Sequence, residues 1–380
     1  MKSHVKIALT AGGMYEALYA RIPEFERITG ITVAVEFAGT HPELNAHLAA
    51  LDPVPYHLVS THTKYAASQL RFLAPIEGFD TLDFFPPVLD LAKIGGALYG
   101  IPRNIDLQLP HYRTDIIETP PATWDELVAL AKRATHAPGP YGFVFTGMES
   151  GLFGTFFELA ESAGARIFSS SLLPEVNNDR GRWALNVLRE LYSSGAVPEA
   201  IAGWRYDEVH AFFRAGSAAM VFDWPGYYAS YRDPSSPVRD RFQVARMPAG
   251  PSGRTCCYAG AHTFALTRAG ADSQAARELL RFLTAPEQQA IEVRQGSVPV
   301  RRSVMLDHRQ AMQGGEVRRL ALLEYSIEHD LLIPPKLSYY PQIESIVWRN
   351  VRAAMIGSVP IADALAEIER KIEECVTNAA

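Results

Sequence analysis

The sequence predicts two α/β lobes joined by crossover strands, and three observations carry that expectation. The chain has 380 residues, beyond the roughly 250 to 300 at which one core stops growing, so two domains are expected. Its N-terminal part reads as a β-α-β-α-β succession. After the stretch Leu98–Asp115, LYGIPRNIDLQLPHYRTD, a second α/β pattern begins.

In the first lobe, Val5–Leu9 reads as a buried strand, followed by the loop Ala11-Gly12-Gly13 and a helix over Met14–Thr29. Leu18, Ile22, Phe25 and Ile28 give that helix its apolar spacing, and Gly30 stops it. Ile31–Phe37 is a β-branched strand, Glu43–Leu51 a helix and Tyr56–Ser60 a third strand. Such a succession calls for a parallel sheet with loops gathered at the C-terminal strand ends. The loops Gly12-Gly13, Thr40-His41 and His62-Thr63-Lys64 are therefore expected on one rim.

Leu98–Asp115 follows the turn signal Gly95-Gly96, and Ile105–Tyr112 alternates apolar and polar residues, which reads as a crossover strand. Thr123 and Glu126 then have capping-box spacing ahead of Leu127, Leu130 and Ala131. Tyr141–Thr146 is an expected strand, Leu152–Ser162, Arg182–Ser193 and Tyr206–Ala215 are expected helices, and the buried run Ala218–Phe222 delivers Asp223-Trp224-Pro225-Gly226-Tyr227 at its tip. Tyr258–His262 is a second candidate passage between lobes, with a third near Asp307–Gln310. Three amphipathic helices, Arg309–His329, Gln342–Ile356 and Ile361–Val376, close the chain. The expected lobes are 1–107 with 261–308, and 108–260 with 309–380.

Composition removes several functions. A net charge of -6 gives no general pull toward nucleic acid, and no nucleic-acid partner is expected. No apolar run reaches the roughly 18 to 20 residues of a membrane span, and MKSHVKIALTAGG is too short in apolar residues for a secretory leader. Three cysteines cannot form a disulfide scaffold; adjacent Cys256 and Cys257 leave a vicinal disulfide and two reduced thiols both open. The phosphate-loop, nucleophile-elbow, HExxH and GxGxxG patterns are all missing, so no catalytic residue and no cofactor are expected. His41, His47, His57 and His62 cluster in sequence but match no ligand spacing, and no metal is expected.

The residues that remain point to binding. Flat aromatic rings stack on sugar faces while carboxylates, amides, Arg and His bond hydroxyls. Trp224 and Tyr227 beside Asp223 are the sharpest such signal. Trp204 is as consistent with a surface staple, and Trp124, inside the capping box, is expected to pack. Asp106 on the apolar crossover is expected to face a polar ligand; Arg103 either pairs internally or receives an anion. Tyr15 and Glu16 open the first helix beside Gly13, and Thr40, His41, His62, Thr63 and Lys64 occupy the loops of the same rim. Glu149, Gly260, His262 and Arg301 complete the candidate set.

Taken in order, LYGIP at Leu98–Pro102, Tyr112-Arg113-Thr114-Asp115, PPATWDEL, GSAAMVFDWPG, GAHTFALTRAGADSQAARELLRFLTAPEQQ, GSVPVRRSV and RAAMIGSVPIADALAEIERKIEE span nearly the whole chain. This succession resembles the extracellular solute-binding proteins, family 1, the maltose-binding-protein-like sugar receptors of ABC importers. The resemblance implies a two-lobed type II periplasmic-binding-protein fold, a cleft between lobes, hinge closure around a carbohydrate, and delivery by a monomer to membrane permease subunits. It also implies a periplasmic or extracellular location, with a membrane anchor compatible and a leader trimmed from this sequence. By position it places ligand contacts on Trp224, on Asp106 and in Gly260–His262. Departures fall at His57-Leu58, where the family commonly has Asp-Val, and at His111-Tyr112-Arg113, where Tyr-Asn is usual; both bear on the ligand rather than the fold. An anionic solute, read by Arg103 and Lys64, is the alternative. A sensor or enzyme reusing the fold, for instance with Glu149 and Asp223 as an acid-base pair, is a further one.

Overall fold

The computed structural model describes residues 4–136, 139–169 and 172–379. It divides into two compact units. Unit 1 is the chain as far as Asp106 with Gly260–Leu320 and Lys336–Ser338; unit 2 is Leu107–Ala259 with Ala321–Pro335 and Tyr339–Ala380.

Unit 1 is built on a five-stranded sheet. We number its strands β1 (His4–Thr10), β2 (Thr32–Gly39), β3 (Leu58–His62), β4 (Ile101–Pro102) and β5 (His262–Leu266), lying in the order β2-β1-β3-β5-β4. Strands β1, β2 and β3 are parallel, as the β-α-β-α-β pattern requires. The sheet is nevertheless mixed rather than parallel throughout, because β5 pairs antiparallel with both β3 and β4. Val5, Ile7, Ala8, Leu58, Val59, Phe264 and Ala265 are sealed from solvent, as expected for strands covered on both faces.

The helix expected over Met14–Thr29 is two helices, α1 (Gly13–Tyr19) and α2 (Ile22–Thr29). Pro23 explains the break: it lacks the N–H needed to continue a ladder but suits a first turn. Gly30 ends α2 in the left-handed conformation at φ 72°, its N–H reaching the Glu26 carbonyl. Helix α3 runs His41–Ala50, capped by Thr40 and Glu43, so His41 stands at its first position rather than in the loop before it.

Unit 2 centres on the antiparallel sheet Phe242–Val244, Leu109–Arg113, Met220–Asp223. Helices Glu149–Ala163, Asp179–Ser193, Tyr340–Met355 and Ile361–Ala379 pack against one another, and helix Tyr206–Arg214 packs on strand Met220–Asp223. Trp124 is buried where Thr123 Oγ1 accepts from the Glu126 amide, the packing role its sequence position predicts. Tyr141–Thr146 does not form a full strand; it makes single parallel bridges, Tyr141 to Ala218 and Val144 to Val221. The first closing helix is also split, into Arg302–Ala311 and Gly315–His329, because Gly314 turns at φ 63°.

Candidate ligand-binding site

In unit 1 the strand ends assemble a cluster of titratable and aromatic side chains. His62 is the last residue of β3 and His262 the first of β5, and the antiparallel register places them opposite each other. His41 comes from the first turn of α3. The ring centroids lie 5.0 Å apart for His62 and His262, and 5.4 Å from His41 to each of them. Two of the three loops expected on one rim therefore do meet, and a strand from more than 200 residues later joins them.

Asp106 closes the cluster. His262 Nε2 lies 3.1 Å from Asp106 Oδ2 and 3.1 Å from the Tyr15 hydroxyl. Asn104, buried beside it, donates to Asp106 Oδ1 at 3.3 Å and accepts from the His262 amide at 3.2 Å, so it ties the carboxylate to β5. Sequence reasoning missed Asn104, whose signal was its place two residues before Asp106 in PRNID. Gly260 is required by the same packing: a Cβ there would sit 2.2 Å from His62 Cε1.

Burial pushes the imidazoles of His41 and His62 well below the ordinary histidine range, and His262 and Lys64 push the same way. Both rings are therefore neutral at pH 7. Burial and the Asp106 carboxylate raise the Tyr15 phenol, which stays protonated. His41 Nδ1 is hydrogen-bonded to Asn45 Nδ2 at 3.1 Å, while its Nε2 is buried with no hydrogen-bond partner among the described residues.

Several other sequence-predicted residues have partners of their own within unit 1 or unit 2. Arg103 is a correction: its side chain is 1% exposed and ion-paired to Glu292, with Nε 3.1 Å from Oε1 and Nη1 2.9 Å from the Tyr19 hydroxyl. It cannot offer a free fork to an anion. Arg301 donates to the Thr284 carbonyl at 3.0 Å and faces Asp83 at 3.5 Å. Thr63 is buried, its hydroxyl accepting from the Ala261 amide at 3.1 Å. Thr40 caps α3, and Glu16 is exposed on α1. Gly13 begins α1, and Lys64 lies over the Tyr65 ring at 4.8 Å.

In unit 2, Asp223 is likewise a correction. It is 2% exposed, accepts from the Trp224 amide at 2.8 Å and from the Tyr231 hydroxyl, and lies 3.4 Å from His210. Its carboxylate organises the loop. Trp224 is half-buried, edge-on to Tyr206 and Tyr258, and its indole Nε1 is buried with no acceptor among the described residues. Tyr227 stacks on His210 at 4.2 Å and donates to Asp207 at 2.9 Å. Trp204 packs on Phe212 at 4.8 Å, which favours the staple reading, and Glu149 pairs with Arg205 at 2.9 Å. The Glu149 and Asp223 carboxylates thus have structural partners, and the supposed acid-base pair loses its support.

Residues 20–313 match the model of a family described as bacterial extracellular solute-binding protein, and the chain belongs to that family. It is a family of binding proteins rather than of enzymes. A probable ABC transporter-binding protein of Deinococcus radiodurans is 30% identical over 217 residues, 54% of this chain and 51% of that protein. The chain spans about half the length of the curated relatives it matches. Among solved structures, maltose-bound MalE3 of T. maritima superposes with a TM-score of 0.87 at 23% identity, over 98% of this chain and 100% of that one. A ribitol-bound ABC transporter solute-binding protein of Agrobacterium radiobacter K84 gives 0.84 at 21%, over 98% of each chain. At these identities the likeness establishes the fold, the two-lobed periplasmic-binding-protein class.

Proposed function

We propose that the protein is the solute-capturing component of an ABC importer, acting outside the cytoplasmic membrane, and that its solute is a neutral carbohydrate or polyol delivered to permease subunits. The observation that carries this reading is the unit 1 cluster. The imidazoles of His41, His62 and His262 and the Asp106 carboxylate gather polar groups of both hydrogen-bonding senses in one place, the complement of a set of hydroxyls. The internal pairing of Arg103 with Glu292 removes the strongest argument for an anionic solute. In unit 2, the indole N–H of Trp224 provides a ring face with an unused donor, suited to a sugar. The maltose and ribitol named for two structural neighbours belong to the same chemical class.

A thermal-shift screen of neutral saccharides, polyols and their acidic derivatives tests the reading. A shift with a neutral member supports it. A shift confined to acidic members would replace it with the anionic alternative.

A further inference from the structure

We propose that His62, Asp106 and His262 form a binding site for a divalent first-row transition-metal ion, with His41 as a further ligand. The donor atoms of His62, Asp106 and His262 all lie within 4.8 Å of one another. Two imidazoles and one carboxylate are a donor set for Zn²⁺, Ni²⁺, Co²⁺ or Fe²⁺ and a poor one for Ca²⁺ or Mg²⁺.

The local geometry fits a cation in the place of a proton. Metal-to-donor bonds of about 2.0 to 2.2 Å in a tetrahedral site put neighbouring donors about 3.3 Å apart. His262 Nε2 and Asp106 Oδ2 already stand 3.1 Å apart. His62 accepts a 3.2 Å bond from the Lys64 amide on Nδ1, the long end of the hydrogen-bond range. Coordination through either ring nitrogen exchanges that weak bond for a metal bond, the ring proton residing on the nitrogen left over.

His41 is the independent observation. Its Nε2 is buried and unpartnered among the described residues, and its ring is as close to His62 as to His262. Such an orphaned nitrogen is costly unless something fills its place. Its other nitrogen rests on a chain of hydrogen bonds from Asn45 to Gln69 to Thr61. Amide orientations are interchangeable along that chain, so Asn45 can equally present its carbonyl to His41 Nδ1–H. That is the outer support metal-bound histidines use, and Asn104 gives Asp106 a comparable one. Because Lys64 adds positive charge nearby, the bound ion leaves a net positive site that favours oxygen donors of a solute in any open coordination position.

The test uses the full chain stripped with EDTA and titrated with Zn²⁺ alone by calorimetry. One equivalent should bind, and His262→Ala and Asp106→Asn should each weaken it by about tenfold or more. His329→Gln, an exposed histidine on another helix, should bind as the parent does. Absence of Zn²⁺ binding, or equal affinity in His262→Ala, would overturn the proposal. Circular dichroism checks that the variants fold. If they do not, the Co²⁺ spectrum of the unsubstituted protein decides: visible ligand-field bands of a nitrogen- and oxygen-bound ion support the site, and the hexa-aqua spectrum refutes it.

Discussion

Arg103 and Glu292 form a buried ion pair across 189 residues of sequence, with Arg103 Nε 3.1 Å from Glu292 Oε1 and side chains 1% and 3% exposed. Burial pulls the guanidinium toward neutrality, but the Glu292 carboxylate and the Tyr19 and Tyr15 rings outweigh it, so Arg103 stays charged. Its guanidinium also lies 4.6 Å from the Tyr15 ring centre, so the pair underpins the tyrosine that meets His262.

Removing one partner leaves the other charge buried and alone. Glu292→Leu and Arg103→Met are each expected to cost about 3 to 5 kcal/mol in urea unfolding, while the double variant Arg103→Met with Glu292→Leu costs less than the sum. Additive losses would mean the two side chains act separately.

Gly260→Ala probes the cluster through its packing. A Cβ 2.2 Å from His62 Cε1 must displace that ring, because the neighbouring register of β3 and β5 is fixed. The expected cost is about 1 to 3 kcal/mol of stability. Solute affinity should fall as well, and unchanged affinity on calorimetry would remove His62 from the site.

Glu158 gives a pH dependence of known sign. Its side chain is fully buried in unit 2, one oxygen accepts from the Tyr258 amide at 2.8 Å, and the other has no partner among the described residues. Burial raises its pKa well above the carboxylate range, so the folded protein holds a proton that the unfolded chain releases above about pH 4.3. This contribution to stability is complete below that pH and declines as pH rises toward the folded value. Glu158→Gln should therefore flatten the stability profile above about pH 4.3 and gain on the parent as pH rises. Parallel profiles for the two proteins would show that Glu158 is ionised in the fold.

The cysteines offer a further check. Cys256 and Cys257 are free, buried thiols, and burial pushes Cys256 up to about 12 and Cys257 well above its ordinary value. Only Cys375, half-buried on the last helix, should react with a thiol reagent in the folded protein, and all three after unfolding. Two reactive thiols in unfolded, unreduced protein fewer than expected would reveal the vicinal disulfide.

What the sequence made legible was mostly local. The apolar β-branched runs identified β1 to β3, Gly30 identified the end of α2, and the Thr123 and Glu126 spacing identified a helix start with Trp124 packed beneath it. Pairings over long separations were not legible. Nothing near His62 or His262 announces that β5 returns antiparallel beside β3, and that return alone joins His262 to His41 and Asp106. For the same reason Arg103 read as a possible ligand contact until Glu292 was brought to it, and the four sequence-clustered histidines gave the wrong grouping. His47 instead stacks on Phe37 at 4.0 Å, and His57 Nδ1 accepts from the Lys6 amide at 2.9 Å. Pro23 was visible throughout, yet the apolar spacing across it masked its effect on the helix.

Whether the unit 1 cluster holds the solute is decided by calorimetry of the neutral saccharide or polyol giving the largest thermal shift, on EDTA-treated protein so that metal and solute binding are separated. Asp106→Ala and His262→Ala should each weaken binding of that solute by about tenfold or more, as expected when a buried polar contact is lost, with melting temperatures close to the parent's. Undiminished affinity in both variants would show that the cluster does not hold it.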